Sequence, residues 1–76
     1  MDEKTKQVFE DLNWARQNHS QLLHQYRGEW IGIYKREVLG TLRELEKLEK
    51  RGKLPTDKKN IAKYFVYPPD VFYPTI

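Results

Sequence analysis

Apolar positions recur along this chain with two periods. Between residues 3 and 26, Val8, Leu12, Ala15, Leu22, Leu23 and Tyr26 fall at helical spacings, with no glycine or proline among them. Side chains return to one face of a helix every 3.6 residues, so this stripe predicts helix. Phe9 and Trp14 lie to either side of it. Either one helix is buried over a wide arc, or two helices meet near "DLNW", with Asn13 as the N-cap of the second. Gly28 stands where a helix stop is expected.

The period then changes to two. In "EWIGIYKREVLG", five of the six residues Trp30, Ile31, Gly32, Ile33, Tyr34 and Val38 are β-branched or aromatic, and they alternate by size. The pattern predicts strands over about 29–34 and 37–40, joined at Lys35-Arg36. A two-residue turn sets Ile33 opposite Val38. Ile31, Ile33 and Val38 then share one face, and Trp30, Gly32, Tyr34 and Leu39 the other. Such a turn needs positive φ at both residues, which suits neither Lys nor Arg, so a longer turn is the alternative.

"TLRELEKLEKRG" is the clearest helix signal. Thr41 and Glu44 have capping-box spacing, and Leu42, Leu45 and Leu48 mark one narrow face. Glutamates cluster toward the start and Lys50 and Arg51 toward the end, in keeping with the helix dipole. Gly52 and Pro55 stop it, giving a helix over 42–51. A last strand follows over about 60–67, closed by Pro68-Pro69, neither of which can donate to a ladder.

The order helix, strand, strand, helix, strand defines an α+β chain of αββαβ type. A crossover from the second strand to the third gives a three-stranded antiparallel sheet in the order 2-1-3. Both helical regions are expected on one face. The other face then carries Trp30, Tyr34 and Leu39, with either Tyr64 or the set Lys63, Phe65 and Tyr67. Residues 1–69 form one small domain, of which 1–13 is a helical extension. Residues 70–76 are an apolar tail.

Composition narrows the function. The chain has 76 residues, no cysteine and a net charge of +3. The absence of cysteine removes thiolate chemistry and fits a reducing compartment. The N-terminus lacks a signal-peptide core and no run approaches the roughly 18 apolar residues of a membrane span, so a cytoplasmic protein is expected. His19 and His24 are five apart. On a helix they project about 140° from one another, unlike a metal pair. No isolated carboxylate pair, nucleophile with a base, or phosphate loop occurs. The sequence therefore predicts a non-enzyme without metal, cofactor or small-molecule substrate. Gly32 reads as a point of close approach inside a strand.

One motif resembles a known family. Leu22, Leu23, Tyr26, Gly28, Trp30, Ile31, Gly32, Ile33, Val38 and the Pro68-Pro69 close resemble a small prokaryotic family of uncharacterised domains. That family has a Tyr-x-Gly-x-Trp-[Val/Ile]-[Ala/Gly]-[Ile/Leu] core, and the resemblance covers about residues 14–69. It implies the αββαβ fold and no activity. Members are similar in style to small proteins encoded beside a partner, toxin–antitoxin-like pairs among them. This chain departs from the pattern at Lys35-Arg36, where the family usually carries Asp-Gly, and in its extension past Pro69.

These readings converge on an interaction module, an accessory or antitoxin-like regulatory subunit. Its expected contact residues are Trp30 and Tyr34 on the sheet and Val71, Phe72, Tyr73 and Ile76 in the tail. The occupant is a protein partner or a second copy. The alternative is nucleic acid, held by Lys50, Arg51, Lys53, Lys58, Lys59 and Lys63 beside the aromatics of the last strand. A tail folded over its own sheet is the plainer rival use of residues 70–76.

Overall fold

Residues 3–68 are described by the computed structural model. Helix α1 spans Glu3–Gln17, α2 His19–Tyr26 and α3 Leu42–Lys50; strands β1, β2 and β3 span Trp30–Tyr34, Glu37–Thr41 and Ala62–Phe65. A single 3-10 turn, Lys58–Asn60, precedes β3 under an Asp57 cap. The sheet has the order β2-β1-β3 and both pairings are antiparallel. The α+β class, strand order and hairpin thus follow the sequence pattern.

The helical break falls at Asn18, four residues beyond "DLNW". Asn18 N–H reaches the carbonyl of Trp14 at 3.0 Å, and its side-chain Nδ2 donates to the same oxygen at 2.8 Å. A side-chain amide competing for a helix carbonyl loosens the turn there. The chain then restarts, with Gln21 and Leu22 donating to the carbonyl of Asn18.

The turn at Lys35-Arg36 has two residues, with φ of 52° and 60°. L-residues pay about 1–2 kcal/mol each for a left-handed backbone. The compensation comes from α1. Asp11, only 1% exposed, accepts the N–H of Lys35 on Oδ2 at 3.2 Å and that of Arg36 on Oδ1 at 2.8 Å. Bonds to a charged acceptor are worth about 1.5–3 kcal/mol each, enough to offset two strained residues. Asp11 lies on the same stripe as Val8, Leu12 and Ala15. Helix α1 is therefore built into the domain from its first half onward: Val8 and Leu12 pack on the core and Asp11 holds the hairpin.

Ala15 and Leu22 meet Ile31, Ile33, Ala62 and Val66 in the core, with Val38 and Tyr64 beside them. Strand residues of one parity share a face, so α1 and α2 cover the face of Ile31 and Ile33. The expectation that all helices share this face is corrected by α3. A Cβ placed on Gly32 would lie 2.2 Å from Leu45 Cδ1 and 2.9 Å from Ile61 Cγ2. Leu45 therefore lies across Gly32, on the opposite face. Gly32 pairs with Gly40, over which the Glu44 side chain lies. Two cross-strand glycines leave a floor without side chains, and α3 occupies it. The helix has little choice, because Thr41 is both the last residue of β2 and the N-cap of α3. Its capping box is complete: Glu44 N–H donates to Thr41 Oγ1, and Thr41 N–H to Glu44 Oε1, both at 3.3 Å.

Candidate partner-binding face

Helix α3 covers only part of its face. The parity of β1 places Trp30 and Tyr34 on this side with Gly32 between them, and the pairing of Trp30 with Phe65 and of Gly32 with Lys63 adds those residues. The open choice for β3 is thereby settled: Tyr64 turns to the core, while Lys63 and Phe65 share the face of Trp30.

Trp30, Phe65 and Tyr67 form a continuous ladder. The rings of Trp30 and Phe65 are 5.4 Å apart and tilted by 48°; those of Phe65 and Tyr67 are 5.0 Å apart and edge-to-face. Trp30 remains 51% exposed and Tyr67 50%. Tyr34 does not join them. It lies four positions along the strand from Trp30, about 13 Å, and Leu45 and Ile61 sit over Gly32 between the two. Tyr34 is half-buried and carries the Lys35 ammonium 5.3 Å from its ring centre. The aromatic surface is thus Trp30–Phe65–Tyr67, not Trp30–Tyr34. Val71, Phe72, Tyr73 and Ile76 lie outside the described residues.

A groove of about 390 Å³ runs along this end of the sheet, lined by Leu12, Arg16, Trp30, Lys63, Tyr64, Phe65 and Tyr67. Its backbone wall is the outer edge of β3. Val66 donates to the carbonyl of Glu29 at 3.0 Å and accepts from Gly28 N–H at 2.8 Å, so Val66 directs its peptide groups toward β1. By alternation Tyr64 does the same, and Lys63 and Phe65 direct theirs outward. Among the described residues no hydrogen bond meets those outward groups. The other edge, β2, is treated differently. Its register slips between Gly32 and Ile33, and Thr41 N–H is taken by Glu44. A bulge and a helix cap are ordinary ways to blunt an edge.

His19 braces the end of β3. Its Nε2 lies 3.0 Å from the Tyr67 carbonyl and its Nδ1 2.6 Å from the Tyr64 hydroxyl. A carbonyl only accepts, so Nε2 carries the proton, and in the neutral ring Nδ1 accepts from the tyrosine. Burial pushes the Tyr64 hydroxyl above the usual tyrosine range; the Arg16 guanidinium opposes the shift and Tyr67 adds to it. His24 is exposed, and among the described residues no group of three acidic, histidine or cysteine side chains is placed to hold a metal ion.

The basic residues do not gather on the aromatic face. Lys58 is bound to Glu49 at 3.2 Å, and Lys50 lies 4.0 Å from Glu46. Arg51, Lys53 and Lys59 are exposed beyond the end of α3 and in the loop that follows. Of the six expected phosphate contacts, only Lys63 lines the aromatic groove. No helix among the described residues is long and apolar enough to cross a membrane. Comparison with protein-family models, with curated proteins and with solved structures finds no match to this chain.

The reading of the sequence passed over Asp11, although an aspartate on an apolar helical stripe needs a buried donor. Phe65 and Tyr67 were named as one option for the open face. His19 carried no sign of its role, because its partners stand 45 and 48 residues away.

Proposed function

We propose that this protein is a non-enzymatic interaction module, a small accessory or antitoxin-like regulatory subunit that binds a protein partner. Its contact surface is the Trp30–Phe65–Tyr67 ladder together with residues 70–76. The observation that carries this reading is the half exposure of two large aromatics joined through a third on one sheet face. Burying such rings is worth about 25 cal/mol per Å² of apolar area, and tryptophan and tyrosine are enriched among residues that dominate binding. The rings also hold one another in place, so docking orders little that is not already ordered.

The test is a native pull-down with mass spectrometry, using the full chain and the variants Trp30→Ala and Tyr67→Ala. A protein recovered by the parent and lost from both variants, at unchanged far-ultraviolet circular dichroism, supports the reading. Equal recovery by all three overturns it.

Lys63, in the groove beside the aromatics, favours a second reading in which single-stranded nucleic acid stacks on the ladder. Titration of a labelled single strand at low and moderate salt decides it. Binding that weakens steeply with salt and is lost in Trp30→Ala supports this reading. Absence of binding ends it.

A further inference from the structure

The outer edge of β3 joins three features: outward peptide groups on Lys63 and Phe65, an aromatic wall from Trp30 to Tyr67, and two cations, Arg16 and Lys63. An edge of this kind accepts an added strand, with backbone bonds giving affinity and alternate side chains giving specificity. The occupant must be short, apolar and β-forming, and an acidic residue suits the two cations.

We propose that the occupant is the segment 70–76 of a second copy of this chain, exchanged reciprocally so that two copies close each other's β3 edges. Residues 70–76 read Asp-Val-Phe-Tyr-Pro-Thr-Ile. Val71, Phe72 and Tyr73 are strong strand formers, and with Asp70 they make a run of four between Pro69 and Pro74, the length of β3. Asp70 supplies the carboxylate. The eight residues after Pro68 reach at most about 26–29 Å when extended, against about 13 Å for β3, so the segment spans a neighbouring edge with chain to spare.

A second copy is favoured over the chain's own edge by two prolines. Tyr67 and Pro68 each precede a proline, which holds both in extended conformations. The sequence there favours a straight exit from β3. A hairpin back onto its own edge has to reverse within Pro68-Pro69-Asp70, where a second central proline is disfavoured and neither proline donates a hydrogen bond. Reciprocal exchange needs no reversal, and a two-fold axis closes both edges at once. The inference rests on the reading of residues 70–76 as a docking segment; it names the occupant and adds the edge.

Sedimentation equilibrium of the full chain across the micromolar to millimolar range is the first test. The expected result is a concentration-dependent doubling of mass. Phe72→Asp, outside the described fold, raises the dimer dissociation constant by about a hundredfold or more, since an aromatic is lost at each of two equivalent edges. Lys63→Pro removes an outward donor without touching a β1–β3 bond and has the same effect. A parent that stays monomeric overturns the proposal, as does a dimer that survives both substitutions.

The absence of native cysteine allows a second arm that does not depend on the proline variant folding. Full chains carrying Lys63→Cys alone and Val71→Cys or Tyr73→Cys alone are mixed under oxidising conditions. A disulfide heterodimer forming in excess over either homodimer supports exchange. The chain carrying both cysteines instead closing on itself as a monomer assigns the segment to its own edge and overturns it. These outcomes are separate from the pull-down: loss of a partner in Trp30→Ala with a monomeric parent leaves the interaction module standing and removes only the exchange.

Discussion

On one face of the sheet, α1 and α2 close over Ile31, Ile33, Ala62 and Val66, all at most 1% exposed. On the other, α3 covers the glycine floor at Gly32 and Gly40 and leaves Trp30 and Tyr67 half exposed. The strands are the same, so the difference lies in what each face offers a helix. Small and branched aliphatics pack under a helix with no polar atom to satisfy. Paired glycines let a helix settle against the backbone itself. Three aromatics in tilted and edge-to-face contact do neither, and Trp30 and Tyr67 stay half exposed. Coverage is set residue by residue, and within β1 it changes sign between neighbours.

The strongest way to break this contrast is to truncate the two faces of that one strand. Ile33→Ala empties a fully buried site and is expected to cost about 2–5 kcal/mol, which in so small a domain approaches complete unfolding. Trp30→Ala removes a larger side chain, yet is expected to cost about 1 kcal/mol or less, chiefly its contact with Phe65. Urea denaturation of both variants checks the ordering. A Trp30→Ala loss as large as that of Ile33→Ala would show that the aromatic ladder is core and not surface.

A smaller effect is expected at the perimeter of the closed face. Asp11→Ala removes both acceptors from a turn whose residues are poorly suited to it, at a cost of about 2–3 kcal/mol. The mechanism predicts a rescue. With Lys35→Asn and Arg36→Gly the turn favours positive φ unaided, and Asp11→Ala then costs less by about 1 kcal/mol or more. An equal loss in both backgrounds, read by the same denaturation curves, would mean that Asp11 acts through something other than the turn.

On the half-open face, Gly32→Ala drives a methyl into Leu45 and Ile61, and a loss of about 1–3 kcal/mol is expected from overpacking. Leu45→Ala in the same chain relieves the nearer clash, so the double variant should be more stable than the sum of the two single losses implies. Simple additivity would mean that α3 does not rest on this glycine.

Local signals carried most of the fold. The capping box at Thr41 and Glu44 and the period-two run through Ile31 and Ile33 each involve residues a few positions apart, and each lies where expected; the last strand is shorter than the 60–67 expected, running from Ala62 to Phe65. What was not legible depended on long separations. Asp11 meets the turn 24 residues later, and this let a Lys-Arg pair serve where Asn-Gly would be usual. The placement of α3 required knowing that Gly32 and Gly40 become neighbours, which only the register reveals. The candidate surface was half legible: Trp30 was identified, but Tyr34 was grouped with it because parity along a strand says nothing of a helix crossing between them.

The smallest expected effect concerns Tyr64, the β3 residue that faces the closed side while its hydroxyl reaches His19 at the rim. Its hydroxyl holds its proton above the usual tyrosine range because burial disfavours the phenolate. In the unfolded chain a tyrosine titrates near 10. The folded state therefore binds the proton more tightly, and stability falls as pH rises through the interval between the two values. This contribution is fully present below about pH 10 and lost above it. Tyr64→Phe has no proton to lose. At neutral pH it should be less stable than the parent by about 0.5–1.5 kcal/mol, the worth of the bond to His19. The deficit should shrink once the pH passes about 10, because only the parent is then penalised. Groups common to both proteins cancel in the difference. A deficit that stays constant through that range would mean that Tyr64 is no better shielded in the fold than in the unfolded chain, and the closed face would then end one residue earlier along β3.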